Sequence, residues 1–275
     1  RTQCYFNGSS LKMGFQLQSL AENIPHPILI FLIFFLLIYL AGRTLVFRSW
    51  QPSSARLEAS SCLASFFHGT PAVILSSLAL HSRASNSSLS SPNTPSHNFT
   101  LEFSIAYFLL DLSHYLIHFP SDVLFIGHHI ATLFVLISCR YIVCRGACGI
   151  LLLLILGEIT SVFQNVWTLS GMRRRDSLLA RRVYDYLSPP FFALYSVIRC
   201  IVGPWYVCKV IGYYVRQSDE TVPVWAWTSW MTVVSVAIAG SYFWIFHRWL
   251  DLLKIQSKSF VALFRFHFLN CKTLE

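Results

Sequence analysis

PILIFLIFFLLIYLAG, residues 27–42, contains no charged side chain, and the first cation after it is Arg43. A helix rises about 1.5 Å per residue and bilayer hydrocarbon is about 30 Å thick, so a crossing needs about 20 apolar residues. Residues 28–47 meet that requirement and read as a transmembrane helix. The whole chain has the same character: 55% of its 275 residues are hydrophobic, 16% are aromatic and only 12% are charged. Its mean hydropathy is +0.54. A soluble domain could not bury that much apolar surface.

Working outward, further apolar blocks at 59–80, 101–119, 123–139, 146–170, 187–215 and 224–249 bring the expected number of spans to seven. The expected fold class is therefore an all-α polytopic membrane protein. Loop cations set orientation. With the C-terminus inside, the inner side holds Arg43, Arg48, Arg56, Arg173, Arg174, Arg175, Arg181, Arg182 and the tail cations Arg248, Lys254, Lys258, Arg265 and Lys272. The outer side keeps Arg1, Lys12, Arg83, Arg140, Arg145 and Arg216. The bias predicts a lumenal N-terminus and a cytoplasmic C-terminus. The glycosylation sequons at Asn7, Asn86 and Asn98 all fall on the outer side of this arrangement, with Asn86 and Asn98 the expected acceptors.

The net charge of +9 is accounted for by loops beside anionic headgroups, which removes nucleic acid as an expected partner. Arg173, Arg174, Arg175, Arg181 and Arg182 read first as a topology signal, with a phospholipid or acyl-CoA phosphate as the alternative. Cys139, Cys144 and Cys148 cluster around an outer loop where one disulfide could form in an oxidising lumen. The chain starts with Arg, and Met13 reads as a start, in which case residues 1–12 carry no function. Residues 81–99, rich in Ser, Asn and Pro, read as a flexible outer loop.

Ionisable groups inside apolar segments are expensive, and they mark functional sites by default. Asp111, His114 and His118 stand at i, i+3 and i+7, on one helical face. His114 and His118 have the spacing of a helical metal pair, but no matching partner motif is present and no metal is expected. His128 and His129 point about 100° apart on a helix, so one can act while the other orients it. An imidazole with an ordinary pKa near 6.5 can serve as general base. Glu158, Ser161 and Asn165 form another single-face stripe, and Arg199 is the natural charge partner of Glu158 or Asp111. These groups could converge with His68 on one cavity open to the cytoplasm. Pro189-Pro190 and Gly203-Pro204 should bend the sixth segment and free backbone carbonyls. The intramembrane histidines are too few for a di-iron histidine-box oxidase.

YFLLDLSHYL at 107–116, DVLFIGHHIATLFVL at 122–136 and ILGEITSVFQNVW at 155–167 together resemble the TLC domain. That membrane domain is shared by ceramide synthases, translocating-chain-associated proteins and plant TLC-domain-containing proteins. The resemblance divides the chain into an outer segment, 1–27, a first transmembrane helix, 28–47, the TLC domain, 56–253, and a cytoplasmic tail, 254–275. It implies six helices around an elongated cavity, preceded here by one more. His68, Asp111, His128, His129, Glu158, Asn165 and Arg199 fall on positions similar to polar positions of the family. The resemblance implies catalytic roles for His128, His129, Asp111 and Glu158, and a lipid-cavity lining that includes His68, His114, Asn165 and Arg199. No cofactor is implied. Ceramide synthases carry a His-Asp followed three residues later by Asp, where this chain has Gly157-Glu158 and Ser161. The expected function is lipid binding or sensing by a multi-pass protein of the endoplasmic reticulum or another endomembrane, affecting lipid homeostasis or trafficking. The alternative is an acyl-CoA-dependent N-acyltransferase using the His128-His129 pair, with sphingolipid or acyl-CoA as the lipid partner.

Overall fold

The computed structural model describes residues 19, 27–81, 88–216 and 221–271, with side chains of the last stretch described to residue 254. The acceptors Asn7 and Asn86, and Met13, lie outside the described residues.

Among the described residues the regular structure is helical. Helix α1 spans Pro27–Ala41 and runs on as a π-helical turn, Gly42–Val46. Helix α2 is Ser53–His81, α3 is Pro95–His118, and α4 is Val123–Ile137 with a π-helical end, Ser138–Val143. The fifth span is two helices, α5, Ala147–Glu158, and α6, Ser161–Arg173. The sixth is α7, Leu178–Tyr195, a π-helical segment, Ser196–Val202, and α8, Gly203–Arg216. Helix α9 runs from Val224 to Cys271. Among the described residues, six of the spans are long and apolar enough to cross a membrane.

Helix α3 is the seventh, and it owes its weaker apolar signal to its position. It packs against α1, α2 and α4, and its buried face includes Glu102, Asp111 and His114. A helix surrounded by protein needs no lipid-compatible surface. The remaining contacts close a ring: α2 on α3, α3 on α4, α4 on α9, α9 on α7 and α8, α7 on α6, and α5 and α6 back on α2. Helix α1 lies outside this ring, against α2 and α3.

Small side chains make the central approach possible. Ala59, Ser60, Ala64, Gly69, Ala72, Ser76 and Ala79 are all buried on α2. Without a hydrophobic drive between helices in lipid, close packing at such residues is a main source of association. Gly69 is the tightest case, because a Cβ there would lie 3.0 Å from the Ser161 Cβ and 3.1 Å from Glu158 Oε2.

Three sequence expectations change. Helix α3 begins at Pro95, inside the stretch read as loop, because Thr94 caps it and Pro95 fits its first turn. Thr94 Oγ1 accepts from the His97 N–H, and His97 Nδ1 accepts from the Thr94 N–H, each at 3.2 Å. Asn98 consequently sits half-buried in the first turn of a helix, with its Oδ1 enclosed. The fifth span, expected as one segment, breaks at residues 159–160. Cys139, Cys144 and Cys148 form no disulfide. The thiols of Cys139 and Cys144 instead donate to the carbonyls of Arg145 and Arg140, at 3.4 and 3.5 Å, and Cys148 faces His97 Nε2 at 3.7 Å.

Prolines in the sixth span act as expected on hydrogen bonding. Pro204 has no N–H to offer the preceding turn, and the Cys200 carbonyl accepts from the Tyr242 hydroxyl of α9. Ser196 Oγ similarly receives Trp249 Nε1 at 3.1 Å. Pro189 and Pro190 lie inside α7, next to a second apolar core of Phe191, Phe192, Tyr195 and Ile245.

Candidate functional site: a polar seam and a cavity

The polar residues singled out in the sequence divide into two groups. The first is a packed seam between α2, α3 and α4. Asp111 is 5% exposed and His129 4% exposed. Asp111 Oδ2 lies 2.8 Å from His129 Nε2 and accepts from the Tyr107 hydroxyl at 3.3 Å, while Oδ1 accepts from Ser61 Oγ at 2.5 Å. On its other edge, His129 Nδ1 lies 2.7 Å from the Phe125 carbonyl. A carbonyl only accepts, so Nδ1 carries a hydrogen. Both ring nitrogens are thus committed, and His129 has no free lone pair with which to take a proton from a ligand.

His68 belongs to the same seam. It is fully buried, stacked on Tyr107 with ring centroids 4.1 Å apart, and its Nε2 lies 3.1 Å from Ser104 Oγ. Its Nδ1 faces Glu158 Oε2 at 3.8 Å. His114 Nδ1 meets the Tyr39 hydroxyl of α1 at 3.0 Å, and Asn165 Nδ2 donates to Ser65 Oγ of α2 at 3.0 Å. His114 and His118 meet edge to face with ring centroids 5.5 Å apart, and among the described residues no group of three His, Cys, Asp or Glu could hold a metal ion.

The second group faces a cavity of about 140 Å³ within the ring, bounded by α3, α4, α5, α8, α9 and the π-helical segment. His128, Glu158 and Arg199 are its ionisable lining residues. The adjacent histidines diverge as helix geometry requires: their rings are inclined at 82°, His129 turned to Asp111 and His128 to the cavity. Among the described residues, no hydrogen bond holds the His128 ring, and the residue is exposed.

Arg199 pairs with neither Glu158 nor Asp111, contrary to expectation. Its Nη2 donates to the Gly157 carbonyl at 2.6 Å and its guanidinium lies over Tyr195, 5.5 Å from the ring centroid. The helix break explains this. At the end of α5 the carbonyls carry partial negative charge, which a cation stabilises, and the start of α6 carries the opposite charge. Arg199 meets the first end, and Glu158, accepting from Ser161 Oγ at 2.7 Å, stands at the second. Arg199 is thus held by a backbone carbonyl and Glu158 by a hydroxyl, and the two do not meet.

Sequence reasoning passed over several partners. Tyr107 was within reach, since it precedes Asp111 by one helical turn. Ser61 and Tyr39 come from other helices, and only the packing brings them in. Glu102, 4% exposed, forms a buried ion pair with Arg140, whose Nε and Nη2 lie 2.7 and 2.6 Å from Oε1. The sequence places Arg140 among the outer-side cations, and the structure puts it in the π-helical end of α4.

A family model described as the TLC domain matches residues 58–249. A TLC domain-containing protein of Arabidopsis thaliana is 52% identical over 226 residues, which is 81% of this chain and 88% of the relative. No solved structure matches the chain. The ring of six spans, the double histidine and the extent of these matches agree, and the chain belongs to the TLC-domain family of membrane proteins.

Proposed function

We propose that this protein binds lipid in its ring cavity and, through that binding, affects membrane lipid composition or trafficking in the endoplasmic reticulum or a related endomembrane. The observation that carries the reading is the cavity itself, with an apolar wall and three ionisable side chains, His128, Glu158 and Arg199, grouped inside a membrane-spanning ring. Apolar pockets with a few convergent polar groups are the usual form of a small-molecule site. In this reading the N-terminus is lumenal and the C-terminus cytoplasmic, as the distribution of Lys and Arg favours. The test is mass spectrometry of lipids that copurify with the wild type and with His128→Ala. A specific lipid lost from the variant supports the reading, and identical lipid profiles sink it.

One observation favours a second reading, acyl transfer from acyl-CoA to a long-chain amine or alcohol. His128 presents to the cavity an imidazole that no hydrogen bond holds among the described residues, beside the Asp111–His129 pair. His128 would take the proton from the attacking nitrogen or oxygen as it bonds to the acyl carbon, and the CoA thiolate would leave. His129, committed on both edges, would position it. Turnover of acyl-CoA by reconstituted wild type, lost in His128→Ala, is the expected result, and equal turnover with and without protein removes this reading.

A further inference from the structure

Two opposite charges line the cavity without pairing, and that restricts what can fill it. Arg199 spends Nη2 on the Gly157 carbonyl, while its Nε is buried without an acceptor among the described residues. Glu158 accepts from the Ser161 hydroxyl and keeps 13% of its side chain exposed. Around them stand Phe108, Leu136, Leu153, Val234 and Ile238.

With His128 neutral, the opposite charges of Arg199 and Glu158 leave the ionisable groups lining the cavity with no net charge. An ionised head entering it would leave one charge uncompensated in an apolar enclosure, which is costly. An uncharged head with both an acceptor and a donor serves both walls: its oxygen faces Arg199 and its O–H or N–H faces Glu158. We infer that the cavity takes an amphiphile whose head is uncharged and bears a hydroxyl or an amide. The inference rests on the lipid-cavity reading and adds the class of head group to it.

Binding of a fluorescent long-chain primary alcohol to the full-length protein in nanodiscs tests it. Competitors share one chain length and differ only in their heads: primary amide, primary alcohol, sulfonate and ammonium. At about pH 8, where imidazole is neutral and the last two heads are ionised, the amide and alcohol should displace the probe at concentrations about ten-fold lower than either ion. Arg199→Gln leaves a net negative wall and should move the preference to ammonium. Glu158→Gln should move it to sulfonate. Arg199→Lys and Glu158→Asp keep the charges and should keep the wild-type order. Equal displacement by all heads, or an unchanged order in both Gln variants, overturns the head-group inference while leaving a lipid cavity in place. Failure of the probe to bind wild type at all overturns both.

Discussion

Asp111 and His129 show what one buried pair does when both members are fully occupied. The carboxylate receives Ser61 and Tyr107, and the imidazole spans from that carboxylate to the Phe125 carbonyl. Removing one partner leaves the others desolvated and unmatched, which typically costs about 3–5 kcal/mol. Asp111→Ala is therefore expected to lower stability by about that amount, read from thermal unfolding in detergent. His128→Ala should shift it by less than about 1 kcal/mol, because among the described residues no hydrogen bond to its ring is lost. If the two variants unfold alike, the division of the histidines into a packed one and a cavity-facing one is wrong. The sequence made the pair conspicuous but not the division. Helical geometry says that neighbours diverge by about 100°, whereas which one finds Asp111 follows from how α3 packs on α4, with Ser61, fifty positions before Asp111, on the other carboxylate oxygen.

Among the elements, α3 and the fifth span were legible to different degrees. The polar stripe on α3 was visible as spacing, and its burial follows from the neighbours on either side. Its start was missed because Ser, Asn and Pro in bulk suggest a loop, although Thr94-Pro95 is a helix-start signal. The break after Glu158 left no composition signal, since no Pro or Gly stands at 159 or 160. The Gly157 carbonyl at the break meets Arg199, forty-two positions downstream of that glycine. Two predictions belong at this scale. Gly69→Val should force α2 away from α5 and α6, because even a Cβ there comes within 3.0 Å of Ser161. Overpacking of this kind costs about 1–3 kcal/mol, and the melting temperature should fall while Gly212→Val, with nothing within 4 Å of its Cβ, changes little. Tyr242→Phe removes the donor from the Cys200 carbonyl that Pro204 leaves free. The expected cost is about 1–3 kcal/mol, and Pro204→Ala in the same chain should recover much of it by restoring an N–H.

For the whole molecule, the seven-span count and the helical class were open to direct reading because hydrocarbon thickness fixes helix length. The closed ring was accessible only through the family resemblance. Orientation is testable as a property of the entire chain. Cys144 is exposed in the loop region assigned to the lumen, and Cys139 and Cys148 are buried beside it. In sealed microsomes, a membrane-impermeant maleimide should leave Cys144 unlabelled and should reach it once the vesicles are opened. Labelling of Cys144 in sealed vesicles would invert the topology.

The break in the fifth span also bears on how the chain is made. Helices α5 and α6 have 12 and 13 residues, and each alone is shorter than the roughly 20 needed to cross hydrocarbon. Together they make one crossing, Ala147–Arg173, of 27 residues. An unpaired carbonyl is costly in lipid, and at the interruption the Gly157 carbonyl meets the Arg199 guanidinium of the sixth span. Arg199→Ala should leave protease protection of residues 147–173 intact while lowering the steady-state amount of folded protein. A loss of protection would instead place the arginine's effect at insertion, ahead of assembly.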